Sequence, residues 1–161
     1  MADLEPLVAL LMSIDAAEHA SWQVAYSLMV WLSMVVMVPF DLAIIDSGPA
    51  AADAAAAAAN TAGVFDAPAD LAAGAHASLS LVGKILAVAR RYLGSTGPAR
   101  EAAAVLLARL LTRPGLQPRL REFVQWGAAQ LAAREAGGEG GDHDEITSSF
   151  LMVRAWAWEW D

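Results

Sequence analysis

Large apolar residues recur at intervals of three and four along most of this chain, and the places where that rhythm stops divide it into five helical elements. "LEPLVALLMSID" sets Leu4, Leu7, Val8, Leu11 and Met12 at that spacing and predicts a short amphipathic helix. "DAAEHASWQVAYSLMVWLSMVVMV" predicts a second helix beginning near Ala16, where Asp15 and Glu18 stand three apart as in a capping box. It ends by Val38, because Pro39 donates no N–H and disfavours helical geometry in the residue before it. The polar residues of this helix, Gln23, Ser27 and Ser33, are few and share no face, so it is predicted to be central in a protein or in lipid. Trp22 and Trp31, nine apart, point half a turn out of phase and are expected to anchor two different neighbours in a core.

"SLSLVGKILAVARRYLG" restores the rhythm through Leu79, Val82, Leu86, Ala89 and Leu93, with Gly94 as its stop. "GPAREAAAVLLARLLTRPG" predicts a fourth helix, with Pro98 in its first turn and Pro114 and Gly115 ending it. "LQPRLREFVQWGAAQLAARE" predicts a fifth, anchored by Leu120, Phe123, Val124, Gly127 and Leu131. No strand alternation competes before the last few residues, where Trp156, Trp158 and Trp160 fall on one side if the chain is extended. That stripe has no evident partner in the sequence.

Short helices joined by proline or glycine turns predict an all-α fold, either an antiparallel bundle or an α-solenoid, with no clean internal repeat visible. The organisation reads as a first helical pair over 1–46, an Ala-rich low-complexity insertion or linker over 47–76, three further helices over 77–136, and an acidic, Gly-rich and Trp-rich tail over 137–161. The insertion is expected to be disordered, since it offers few large apolar side chains to offset ordering entropy.

Composition alters this picture little. Of the 161 residues 57% are hydrophobic, but much of that is alanine, a strong helix former and a weak hydrophobe. There is no cysteine, hence no disulfide framework, and Met1 is followed by Asp3 and Glu5 rather than by the basic leader of a signal peptide, so a cytosolic chain is expected. Charge alters the picture more, because it is segregated. Residues 1–83 carry nine acids and no lysine or arginine; Lys84 to Arg134 hold nine basic residues against two acids; from Glu135 onward seven acids face Arg154 alone. The net charge of −8 argues against a nucleic-acid partner, while the basic middle suits an acidic one.

The uncharged stretch from His19 to Phe40 spans 22 residues. As helix it would measure ~33 Å, the length of a membrane span. A single-span protein with its span at 19–40 is therefore one alternative, opposed by the absence of any basic anchor before Lys84. A generic helical adaptor is another. No phosphate-cradling glycine loop and no serine elbow occurs, so no enzyme chemistry and no cofactor are expected. "GGEGGDHDE" places His143 among acids, but its glycines supply no rigid ligand geometry and it reads as a solvated tail; His19 and His76 stand alone as structural or surface residues.

The stretch "SWQVAYSLMVWLSMVVMVPFDLAIID" closely resembles the N-terminal helical region of the tubulin-folding cofactor D (tubulin-specific chaperone D) family, and "ILAVARRYLGSTGPAREAAAVLLARLLTRPGLQPRLREFVQW" resembles the segment that follows it. The chain departs from the family in the longer 47–76 stretch, in the tail after Ala133, and in being many times shorter, so a fragment is expected. The resemblance implies a HEAT/armadillo-like α-solenoid of about five helices, soluble and cytoplasmic. It implies a chaperone that receives β-tubulin and, with other tubulin-folding cofactors and an Arf-like small GTPase, assembles or dismantles the αβ heterodimer. It also implies a contribution to GTP hydrolysis by tubulin within a complex, with no catalytic residue in either block. "WLSMVVMVPFDL" then reads as a helix buried between solenoid neighbours, with Pro39 closing it and Asp41 capping the next turn.

Tubulin is acidic, and Lys84 and Arg91, seven apart, with Arg109 and Arg113, four apart, are the candidate partner-binding residues of a basic ridge. Arginines that merely solvate the outer face are the competing expectation. The long 47–76 connection also predicts that helices three to five form a more protected unit than helix two.

Overall fold

The computed structural model describes residues 4–15, 21–39, 42, 65, 79–95 and 97–137. Five helices make up this part: α1 Leu4–Ser13, α2 Trp22–Val35, α3 Leu81–Leu93, α4 Pro98–Leu111 and α5 Gln117–Gly137, with no strand among the described residues. The periodicity located each of them.

Local chemistry accounts for several of the ends. Ser80 caps α3, its buried Oγ accepting a hydrogen bond from the Gly83 N–H at 3.1 Å and so filling one of the orphan donors of the first turn. Gly97, at φ 88°, turns the chain into α4, where Pro98 occupies the first turn and loses nothing by lacking an N–H. Gly115, at φ 89°, makes the turn into α5, and its N–H donates to Gln117 Oε1 at 2.9 Å.

The helices stack as two hairpins. α1 packs on α2 and α3 on α4; across the pairs, α1 packs on α3 and α2 on α4, and α5 begins a further layer against α4. α1 and α2 each meet the helix two places on, which is the repeat geometry that the sequence itself does not display. α4 is the centre. Nine of its 14 residues are buried, including Ala99, Ala102, Ala103, Ala104 and Ala108, whose small side chains let α2 and α3 approach from different sides.

Three expectations change. First, α2 is described from Trp22, not from Ala16, and residues 16–20, with the glutamate of the expected capping box, lie outside the described residues. Its 14 residues make ~21 Å, against the ~30 Å of a hydrocarbon core, and no helix among the described residues is long and apolar enough to cross a membrane. Second, α2 is not buried all round. Ala25, Met29, Leu32 and Ser33 face the core, while Trp22 and Trp31 are 37% and 43% exposed and are not core residues. The helix enclosed on several sides is α4, where five alanines stand with four leucines among the buried residues. Third, Phe65 from the Ala-rich stretch is buried against Phe123 and Trp126, so that stretch contributes a core side chain. The rest of 43–78, Asp41, the three histidines and the tail after Gly137 lie outside the described residues.

Candidate functional site

The last four carbonyls of a helix lack intrahelical donors, and the partial negative charge gathered there favours a cation. In this chain the cations come from the layer above. Arg91, in the last turn of α3, spans the end of α1: Nη2 donates to the Ile14 carbonyl at 2.7 Å and to Leu11 at 3.3 Å, and Nη1 to Met12 at 3.4 Å. Arg113, two residues past α4, does the same for α2, Nη1 donating to the carbonyls of Val36 and, at 2.8 Å, Val38.

Arg109, one turn earlier on α4, reaches the inner face of α2. Its Nη1 donates to Ser33 Oγ at 2.9 Å, and that hydroxyl in turn donates to the Val30 carbonyl at 2.7 Å. Buried Ser33 is thus satisfied on both sides. The sequence separations of these contacts, 75 to 80 residues, are alike for α3 on α1 and for α4 on α2. One arginine device is repeated at the same end of successive layers.

This placement departs from the expected ridge. Arg91, Arg109 and Arg113 are half-buried and engaged with neighbouring helices rather than aligned outward to meet a partner; Lys84, partly exposed near the start of α3, makes up the fourth expected position. Nor do these three arginines simply solvate the outer face, since each donates to a neighbouring helix, whereas Arg119 pairs with the nearby Glu122. Seven-residue spacing correctly put Lys84 and Arg91 near one line on α3, but spacing carries no information about α1, whose carbonyls decide where Arg91 goes.

Tyr92 follows Arg91 and is buried, with the Arg91 guanidinium 5.3 Å from its ring centroid. Burial pushes its phenol above the ordinary value of 10.0, an effect that the Arg91 charge partly opposes and Asp15 reinforces.

Two surface features complete the picture. The outer side of α2 exposes the large apolar groups of Val24, Trp31 and Met34. At the junction of α3 and α5, the Arg90 guanidinium lies 5.2 Å from the Trp126 ring centroid beside an aromatic cluster of Phe65, Phe123 and Trp126. Among the described residues no cluster of three or more metal-ligating side chains occurs. Stacked helices tied at their ends by cations leave apolar and aromatic surface outside, an arrangement that can bind.

The match to known families accords with this arrangement. A family model described as "Tubulin-specific chaperone D-like, ARM repeat" matches residues 1–131. The chain belongs to that family. Its five helices are an all-α, armadillo-like segment, and the matched residues take in α1 to α4 and most of α5. The tubulin-specific chaperone D-like region thus includes the arginine contacts and both surface features. No solved structure matches the chain.

The Arg91 and Arg113 contacts escaped sequence reasoning because their acceptors are backbone atoms, which every residue has. Ser80 carried a readable signal, a serine directly before an apolar helical run. Phe65 did not, since a lone aromatic in an alanine tract resembles any other isolated side chain.

Proposed function

We propose that this chain takes part in tubulin folding as a chaperone segment that binds β-tubulin, acting with other tubulin-folding cofactors and an Arf-like small GTPase in assembling or dismantling the αβ heterodimer in the cytoplasm. Any contribution to GTP hydrolysis by tubulin is made through the complex. The observation that carries this reading is membership of the tubulin-specific chaperone D-like family across residues 1–131.

The surface supports the same reading. A chaperone that holds an unassembled subunit needs apolar area of its own, and the outer side of α2 supplies it in Trp31 and Met34, the latter 58% exposed. Among the four basic candidates, Lys84 is the one for a charged contact with an acidic client, because Arg91, Arg109 and Arg113 hold other helices.

The test is co-elution of the chain with β-tubulin released from chaperonin. A complex is expected from the unaltered chain, weakened by Trp31→Glu with Met34→Glu, and weakened at low salt alone by Lys84→Glu. Absence of any complex, with native helix content, would overturn the reading; equal binding by the Trp31/Met34 variant would remove α2 from it.

A further inference from the structure

Sulfur in this chain is thioether sulfur alone: there is no cysteine, and there are six methionines. Four of the six fall among the described residues, and the fold sorts them into two classes. Met29 is fully buried on the core side of α2, and Met12 is partly buried in the last turn of α1, packed against the core. Met34 and Met37 are 58% and 55% exposed, more than any other large apolar side chain among the described residues.

The backbone holds these two in place. Val36, which caps α2, keeps helical angles, φ −67° and ψ −13°, so Met37 follows Met34 by three residues along a continuing turn. The Met37 N–H donates to the Met34 carbonyl at 3.2 Å, and the carbonyls on either side of Met37, those of Val36 and Val38, both accept from Arg113. Side chains three apart on a helical turn are neighbours. Two open thioethers are thereby set next to each other at the C-terminal end of α2, one turn beyond exposed Trp31. Their chemistry differs from that of the other apolar groups on this side. Valine is inert to peroxides, whereas a thioether sulfur has a lone pair that reacts with one wherever solvent reaches it.

We propose that Met34 and Met37 form a reversible oxidation site for hydrogen peroxide, through which the outer side of α2 passes from apolar to polar. In each step a sulfur lone pair attacks one peroxide oxygen, and the S–O bond forms as the O–O bond breaks. The departing hydroxide takes the proton of the transferred oxygen and leaves as water; sulfur loses two electrons and the peroxide gains them. Thiol-dependent sulfoxide reductases reverse the step: two thiols supply the electrons and become a disulfide, and the oxygen leaves as water. A sulfoxide is polar and accepts hydrogen bonds, so an apolar partner loses contact at α2 while the core around Met29 is unchanged. The site stands on exposure and geometry. Its effect on client capture rests on the tubulin reading, in which Met34 belongs to the binding surface.

The test is a graded hydrogen peroxide series on the full chain, with sulfoxide at each methionine read by peptide mass spectrometry. Met34 and Met37 should oxidise roughly tenfold or more faster than Met29, which must wait for local opening. In urea the difference should vanish. Once Met34 and Met37 are oxidised and Met29 is not, helix content should be retained, and the two reductases specific for the sulfoxide epimers should return both residues to thioethers. Equal rates for Met29, Met34 and Met37 in the folded chain would overturn the site, as would loss of helix content at that stage. β-Tubulin binding is then compared before and after treatment. The treated chain should bind several-fold more weakly, and the reductases should restore it. In Met34→Leu with Met37→Leu, which keeps the other four methionines, treatment should change nothing, whatever the starting affinity. Undiminished binding by the treated unaltered chain, or an equal loss in the leucine variant, would overturn the effect on capture. An untreated chain that binds no β-tubulin would overturn the tubulin reading and that effect with it, while the oxidation map still decides the site.

Discussion

Arg113 illustrates how much one side chain can contribute from outside a helix. It caps α2 through two carbonyls, and a hydrogen bond from a charged donor to buried backbone is worth more than an exposed ion pair. Arg113→Met keeps most of the apolar stem and removes the donors, so it should cost about 1–2 kcal/mol, read as a lower urea midpoint at unchanged slope. Arg113→Lys should recover part of this, since the charge stays but the fork does not. Tyr92 offers the contrasting case. Its buried hydroxyl has no hydrogen-bond partner among the described residues, and its pKa is raised, chiefly by burial. A folded pKa above the unfolded one means the folded state holds the proton longer. The associated stability is present below the unfolded value of 10.0 and is lost as pH rises through the folded one. Melting temperatures followed from about pH 8 to about pH 11 should therefore fall further in the unaltered chain than in Tyr92→Phe, which should be no less stable at neutral pH.

At the scale of the element, α4 is the helix whose sequence is most constrained. Its buried alanines lie in a helix that packs on both α2 and α3. Ala103 is fully buried, and Ala103→Leu should destabilise by about 1–3 kcal/mol through overpacking. The same change at exposed Ala128 of α5 should stay within about 0.5 kcal/mol. Thermal unfolding of the two variants side by side checks the contrast. Alanine also explains why periodicity singled out the wrong helix as central. α2 carries the longer unbroken run of bulky apolar residues, and a hydropathy pattern follows bulk; α4 is enclosed with alanine at five of its nine buried positions. Trp31 of α2 therefore ends outside, on the surface the layer leaves open.

For the whole molecule, the order of protection should follow packing rather than chain continuity. The long 47–76 connection suggested that α2 would open more readily than α3 to α5. In the structure α2 shares its most extensive contact with α4, whereas α5 meets α4 only slightly. Hydrogen exchange should therefore protect α2 together with α4 and α3, and release α5 earlier. Slow exchange throughout α5 with fast exchange in α2 would contradict this. Loop length enters the entropy of closure only logarithmically, while the buried faces of Met29 and Leu32 against α4 contribute in proportion to area.

Sequence alone determined what depends on neighbours along the chain: the five helices, the stop of α3 at Gly94, the ends of α2 and α4 short of Pro39 and Pro114, the absence of strand alternation in their range, and, through the two blocks, the family. Those features follow from local sterics and from side chains three and four apart. Tertiary structure alone decided which helix is enclosed, where Phe65 goes, and that Arg91, Arg109 and Arg113 secure α1 and α2. Each of these depends on a partner some 60 to 80 residues away, and for Arg91 and Arg113 that partner is a carbonyl. A main-chain acceptor is the same at every position of a sequence; only the stacking of α3 on α1 and of α4 on α2 selects the helix ends that meet a guanidinium.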